Sequence, residues 1–184
     1  MIVRTDIESI KRYRSRLGEE LYEQLAELWY SSEKASSEEG SGEKSPDMSS
    51  EEASPCKGSD SGGGCPICGH AAEVGVLLNS KEEGRGAQRM LWCAYCEHQW
   101  SYDRIRCVRC GTRSQDALSY HFDEGDIARR IYYCDDCEGT LKVLCEKNLD
   151  VPSEVDLRLE GILMAGLEQA VREHCARRKV ARSN

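Results

Sequence analysis

Phenylalanine occurs once in the 184 residues, aromatic side chains reach only 7% and hydrophobic residues 39%. So little apolar volume excludes a large conventional core. No stretch approaches the roughly 20 apolar residues of a membrane-spanning helix. The start, Met1-Ile-Val-Arg-Thr-Asp-Ile-Glu8, has no apolar run of the kind a signal peptide uses. These absences predict a cytoplasmic protein with reduced thiols. Positive charge is also short, 25 Lys and Arg against 33 Asp and Glu, for a net charge of −8. No overall field therefore favours nucleic acid.

Cysteine is abundant, with 11 copies. Eight form four Cys-x-x-Cys pairs: Cys65/Cys68, Cys93/Cys96, Cys107/Cys110 and Cys134/Cys137. The tight turn inside such a pair aims both sulfurs at one cation, and two pairs complete a tetrahedral site for zinc or a rubredoxin-like iron. A lone pair would also suit thiol–disulfide chemistry, but four in one short region point to metal. An internal repeat assigns the partners. Cys65-Pro-Ile-Cys68-Gly69 is followed by Cys93-Ala-Tyr-Cys96, and Cys107-Val-Arg-Cys110-Gly111 by Cys134-Asp-Asp-Cys137, with Arg89-Met-Leu-Trp92 matching Arg130-Ile-Tyr-Tyr133. Pairs one and two thus share one metal, and pairs three and four another. An interleaved arrangement needs no such repeat.

Gly69 and Gly111 stand where the turn calls for positive φ. Strand-like runs cover Glu73–Leu78, Gln88–Trp92, Leu118–Phe122 and Arg129–Tyr133, separated by turn signals at Glu83–Gly86 and Asp123–Asp126. Eight thiolate ligands leave no open coordination position, the pattern of structural rather than catalytic sites. No nucleophile elbow or phosphate-binding loop is present. His70, His98, His121 and His174 are scattered; His70 and His98 adjoin ligand cysteines, but solvated surface positions are their simplest reading.

Around this region, residues 1–30 read as an N-terminal amphipathic helix with Ile7, Ile10, Leu17, Leu21, Leu25 and Leu28 as its stripe. That stripe docks on the rest of the fold or on a second copy, so a homo-oligomer is possible. Residues 31–64 are Ser, Glu and Gly with almost nothing apolar, the composition of a disordered acidic linker; Cys56 lies in it as a spare thiol. Residues 65–106 and 107–150 are the two metal modules, and 151–184 a C-terminal helix with a basic tail. Ser153-Glu-Val-Asp156 opens that helix as a capping box. Val155, Leu159, Ile162, Leu163, Leu167, Ala170, Val171 and Cys175 share its apolar face. The fold expected is a small metal-bound α+β protein: two tandem rubredoxin-like or zinc-ribbon modules flanked by two helices. Cys145 is either a strand core residue or a spare thiol.

The stretch Cys93-Ala-Tyr-Cys96-Glu-His-Gln-Trp100-Ser-Tyr-Asp-Arg104-Ile-Arg-Cys107-Val-Arg-Cys110 resembles the formate dehydrogenase accessory protein (FdhE) family in its joined knuckles and its Trp and Arg spacing. Cys134-Asp-Asp-Cys137-Glu-Gly-Thr-Leu141-Lys142-Val is similar to that family's fourth knuckle and following strand, and Asp156-Leu157 to its helix entry. The resemblance covers roughly Cys65 to Arg178. It implies a non-enzymatic cytoplasmic assembly factor that binds the immature catalytic subunit of a molybdenum- or tungsten-dependent formate dehydrogenase and assists its maturation. It also implies two metal ions per chain, iron or zinc, and makes Trp100 and Arg104 candidates for partner contact; packing between the modules is the other role open to Trp100, and pairing with a carboxylate the other for Arg104. Family members carry a substantial helical N-terminal domain where this sequence has one helix and an acidic segment. Glu138 follows Cys137 where the family has Gly, which predicts a looser fourth knuckle.

Two other classes compete. Arg104, Arg106, Arg109 and Arg113 would suit a nucleic-acid-binding zinc ribbon, but residues 65–145 hold 12 acidic against 10 basic side chains. A rubredoxin-like iron would instead serve electron transfer or redox sensing.

Overall fold

The computed structural model describes residues 7–38, 62–78, 87–149 and 155–182. Cys56, the turn at Glu83–Gly86 and the cap expected at Ser153 lie outside them. The N-terminal stripe forms three helices rather than one: α1 (Ile7–Arg12), α2 (Arg14–Leu17) and α3 (Glu19–Glu38). Gly18, at φ 76°, ends α2 and redirects the chain. Because α3 runs to Glu38, eight residues of the expected linker are helical. Once a helix is nucleated, adding residues such as Glu, Lys and Ala costs little. Residues 39–61 lie outside the described part.

Six strands follow: β1 (Val74–Leu78), β2 (Gln88–Trp92), β3 (Gln99–Tyr102), β4 (Leu118–Asp123), β5 (Asp126–Cys134) and β6 (Thr140–Cys145). Each repeat is a three-stranded antiparallel unit with a Cys-x-x-Cys pair before its first strand and another between its second and third. The two units join in one sheet of order β3-β2-β1-β6-β5-β4, in which β1 and β6 pair in parallel with Val74 opposite Lys142 and Leu77 opposite Cys145. The first strand of one unit thus meets the third strand of the other. All six residues of β6 are buried, as a central strand covered on both faces requires.

On one face, Val74, Trp92, Ile131, Tyr133 and Leu144 pack against α4 (Leu157–Leu163) and α5 (Ala165–Arg182) through Leu157, Met164, Val171 and Cys175. The last helix is therefore two, broken at Met164, which is buried although it lies off the expected stripe; Ile162 and Ala170, expected on that stripe, are exposed. Asp156 caps α4 by accepting from the backbone N–H groups of Arg158 and Leu159. On the other face, Leu77, Leu91, Leu141, Val143 and Cys145 pack with Val108, Trp100, Tyr102 and Tyr132. Cys145 is thus a core residue of β6. Since β3 and β4 are opposite edges, the connector carrying the third knuckle crosses this face.

Ile10, Tyr13 and Leu17 dock on Leu159, so the first stripe is covered by α4. Leu28, at 67% exposed, is left outside. The anchor is polar. Glu160 is 0% exposed and accepts hydrogen bonds from Tyr13 Oη (2.8 Å), Arg16 Nη1 (2.9 Å) and Arg129 Nε (2.7 Å).

Candidate metal centres

All four knuckles close the same way. The residue after the second cysteine donates its N–H to the first cysteine's carbonyl: Gly69 to Cys65 (2.9 Å), Glu97 to Cys93 (2.8 Å), Gly111 to Cys107 (3.0 Å) and Glu138 to Cys134 (2.8 Å). The first cysteine's own N–H then reaches the next carbonyl along, His70, His98, Thr112 or Gly139. Positive φ at that turn residue is part of the motif. Gly69 (76°) and Gly111 (78°) have it without strain, and Glu97 (60°) and Glu138 (58°) share it.

Two glutamates in the left-handed region are held by the C-terminal helices, Glu97 by Arg158 at 3.2 Å and Glu138 by Lys179. The fourth knuckle is therefore as closed as the others, and the loosening expected at Glu138 does not occur. Left-handed backbone costs a side-chain-bearing residue about 1 kcal/mol or more, while an exposed ion pair returns less. Glu138→Gly is accordingly expected to raise stability by about 0.5–1 kcal/mol. Thermal melts of the metal-loaded protein check this; a fall in Tm would show that Lys179 contributes more than the strain removes.

The sulfurs gather as the repeat requires. Cys65, Cys68, Cys93 and Cys96 form one group and Cys107, Cys110, Cys134 and Cys137 the other, with the ligand atoms of each within 4.8 Å of one another. Measured separations are 3.4 Å (Cys65–Cys96), 3.5 Å (Cys68–Cys93), 3.6 Å (Cys107–Cys137) and 3.8 Å (Cys110–Cys134). A tetrahedron with metal–sulfur bonds near 2.3 Å has edges of about 3.8 Å, so each group fits one such ion. No interleaved pairing occurs. His70 and His98 contribute carbonyls rather than rings: the His70 ring stacks on Tyr95 at 4.1 Å and that of His98 on Trp100.

Without a cation the thiols cannot all ionise together. Burial opposes ionisation of Cys65, but N–H groups of Cys68 and Ile67 and neighbouring thiols bring it down to about 7. Burial and thiol neighbours push Cys68 up to about 12. The second group repeats this, with Cys107 lowered and Cys134 raised. Ionisation of Cys65 or Cys107 thus opposes that of the raised thiols beside it, and a divalent ion, which binds thiolates, releases protons on loading. The groups differ at the surface: Cys110 and Cys137 of the second are exposed, while Cys68 and Cys96 of the first are half-buried.

Trp100 and Arg104 flank the joint. Trp100 is partly buried and packs on the second apolar cluster, whereas Arg104 is exposed. Arg113 pairs with Asp103 at 3.1 Å and Arg106 Nε donates to the Gly111 carbonyl, so the basic cluster is partly used within the connector. Sequence periodicity gave no sign of Tyr13, Arg129 and Glu160, whose importance comes from contacts between distant elements.

Paired Cys₄ groups in tandem zinc-ribbon units joined through one sheet define a small metal-binding α+β protein. No family model matches the chain. Similar curated proteins are FdhE homologues: one from Shewanella sp. (strain MR-4) is 36% identical over 80 residues, 44% of this chain and 25% of the relative. One from Aquifex aeolicus is 31% identical over 104 residues, 56% of this chain and 32% of the relative. The crystal structure of the FdhE protein from Pseudomonas aeruginosa aligns at a TM-score of 0.51 and 23% identity, over 61% of this chain and 37% of that one, and shares the fold. Over the matched region the chain is FdhE-like. These matches span only about a quarter to a third of the curated relatives' own length.

Proposed function

We propose that the chain is a non-catalytic cytoplasmic accessory protein that binds the catalytic subunit of a formate dehydrogenase and assists its maturation. The observation that carries this reading is the joined-knuckle region, Cys93 to Cys110, in an FdhE-like double ribbon whose connector leaves Arg104 exposed. Four cysteines per group fill a tetrahedral ion's coordination, which leaves no position for substrate or activated water. The metal, zinc or iron, then holds the recognition surface rather than taking part in a reaction. No described helix is long and apolar enough to cross a membrane.

The test is capture of a co-expressed formate dehydrogenase catalytic subunit on the tagged, metal-loaded chain, with formate-dependent activity measured in cells with and without the gene. Co-elution together with lost activity in the deletion strain supports the role. No capture and unchanged activity would refute it. A redox-sensing variant of the reading is favoured by the exposure of Cys110 and Cys137 in the second group. Metal analysis and an absorption spectrum after purification without oxygen decide whether the metal does the sensing: iron with thiolate charge-transfer bands that bleach on reduction supports it, and zinc, which has no redox step of its own, excludes it.

A further inference from the structure

On the sheet face opposite α4 and α5, the connector and the second unit enclose a cleft of about 270 Å³. Among the described residues no Asp or Glu lines it, although the full sequence has 33 acidic and 25 basic residues. Three arginines do: Arg106, whose Nε donates to the Gly111 carbonyl, and Arg89 and Arg104. Arg89 is 2% exposed, lies between the rings of Tyr102 and Tyr132 and donates Nη2 to the carbonyls of Asp103 and Arg106. Its Nε has no acceptor among the described residues. Burial disfavours its charge, and no carboxylate among the described residues pairs with it. The nearby Tyr132, Tyr102 and Asp103 side chains, and more weakly Cys107, oppose that burial effect without forming an ion pair with Arg89. Arg104, at the open side, has no ion pair among the described residues.

A buried guanidinium with no ion-paired carboxylate among the described residues, beside a second guanidinium likewise without one, is the donor set that planar, bidentate carboxylate recognition uses. A small anion would engage only these. Exposed Ile105 and Tyr120 border the same cleft, and Tyr120 continues into Phe122 and Arg130, whose guanidinium lies 5.2 Å from the Tyr120 ring and 5.6 Å from that of Phe122. An occupant that covers these apolar groups carries an apolar side chain next to its acid.

We propose that this cleft binds a segment of a partner protein through one carboxylate side chain held by Arg104 and Arg89, with a neighbouring apolar side chain against Ile105 and Tyr120. The proposal rests on the accessory-protein reading and names the chemistry by which the partner is recognised.

The experiment is fluorescence anisotropy on the full metal-loaded chain with a labelled, capped peptide centred on Leu-Asp-Leu, its Leu-Asn-Leu counterpart, and sodium acetate as competitor. The Asp peptide is expected to bind about tenfold or more tightly than the Asn peptide, and more weakly as salt rises. Arg104→Gln is expected to abolish the preference while metal content and circular dichroism stay unchanged. Equal binding of the two peptides, or a preference that survives Arg104→Gln, overturns the proposal. So does acetate binding without Asp-peptide binding, which would assign the cleft to a free small carboxylate. Capture of the dehydrogenase subunit separates this from the functional reading. If Arg104→Gln loses the peptide preference but captures the subunit as well as wild type, the cleft is not the contact and the accessory role stands. If the wild-type chain shows the peptide preference and no subunit capture, the cleft chemistry stands and that role falls.

Discussion

Chelating the metal from both tetra-cysteine groups is expected to unfold the sheet rather than merely empty two sites. Each group ties the loop before a first strand to the turn between the second and third, so it closes every unit of the fold. Structural metal of this kind contributes apparent binding energies of about 10–16 kcal/mol, comparable with the roughly 5–15 kcal/mol net stability of a domain. The apolar clusters on the two faces are small, and a metal-free chain would have little to replace the lost links. Loss of near-ultraviolet circular dichroism and of hydrogen-exchange protection in β5 and β6 on chelation is the expected result. Protection that persists in the metal-free chain would show that the sheet stands on its packing alone.

The pH dependence follows from the thiols. A metal binds the deprotonated groups, and burial with like neighbours raises Cys68 to about 12 and also raises Cys137. Protons must therefore leave on loading, and apparent affinity falls as pH is lowered. Titration with a competing chelator at several pH values measures the number released. Within one group, Cys93→Ser is expected to cost more than Cys68→Ser, because Cys93 is fully enclosed while Cys68 retains access to water.

Removing the Glu160 carboxylate is expected to release the N-terminal helices. Arg16 and Arg129 both converge on it, at 2.9 and 2.7 Å, and Tyr13 donates to it from α1 and α2's junction. In Glu160→Ala the guanidinium of Arg129, 14% exposed in place, loses its main counter-charge and, among the described residues, keeps Asp126 alone. Breaking one side of a buried pair costs about 3–5 kcal/mol, a large share of what the burial of Ile10, Tyr13 and Leu17 contributes at about 1.5–3 kcal/mol each. Limited proteolysis should then cut within residues 7–38 while the metal-bound sheet remains intact. An unchanged digestion pattern would mean that the apolar contacts alone hold these helices.

The sign of the pH effect is the reverse of that for a histidine. Burial raises the Glu160 pKa, but hydrogen bonds and charge from Arg129 and Arg16 outweigh it and hold the carboxyl below its ordinary value. Its contribution is thus present at pH above the ordinary glutamate range and is lost as pH falls through the lowered value. Protection of the helices should persist through mildly acidic conditions, and the difference between wild type and Glu160→Gln should shrink only below them.

The ligand grouping was legible in the sequence because a Cys-x-x-Cys turn is local chemistry and the repeat around it names its partner pair. The same locality made Gly69 and Gly111 readable as positive-φ positions, and Gln88–Trp92 readable as a strand. Short β3 escaped because four residues carry too little alternation, and the break at Met164 because a helical stripe looks continuous when its register shifts by one residue. At Glu138 local preference read the strain correctly, but not that the turn closes all the same, with Lys179, 41 residues later, reaching the carboxylate.

What the sequence determined by itself is the set of eight thiolates and their division into two groups, since both depend on spacings of a few residues and a repeated pattern. Only the tertiary structure decided that the units share one sheet through β1 and β6, that Glu160 anchors the first helices, and that Arg89 and Arg104 line a cleft with no acid among the described residues. Those features arise between elements far apart along the chain, where burial and charge balance, not local conformation, choose the contacts.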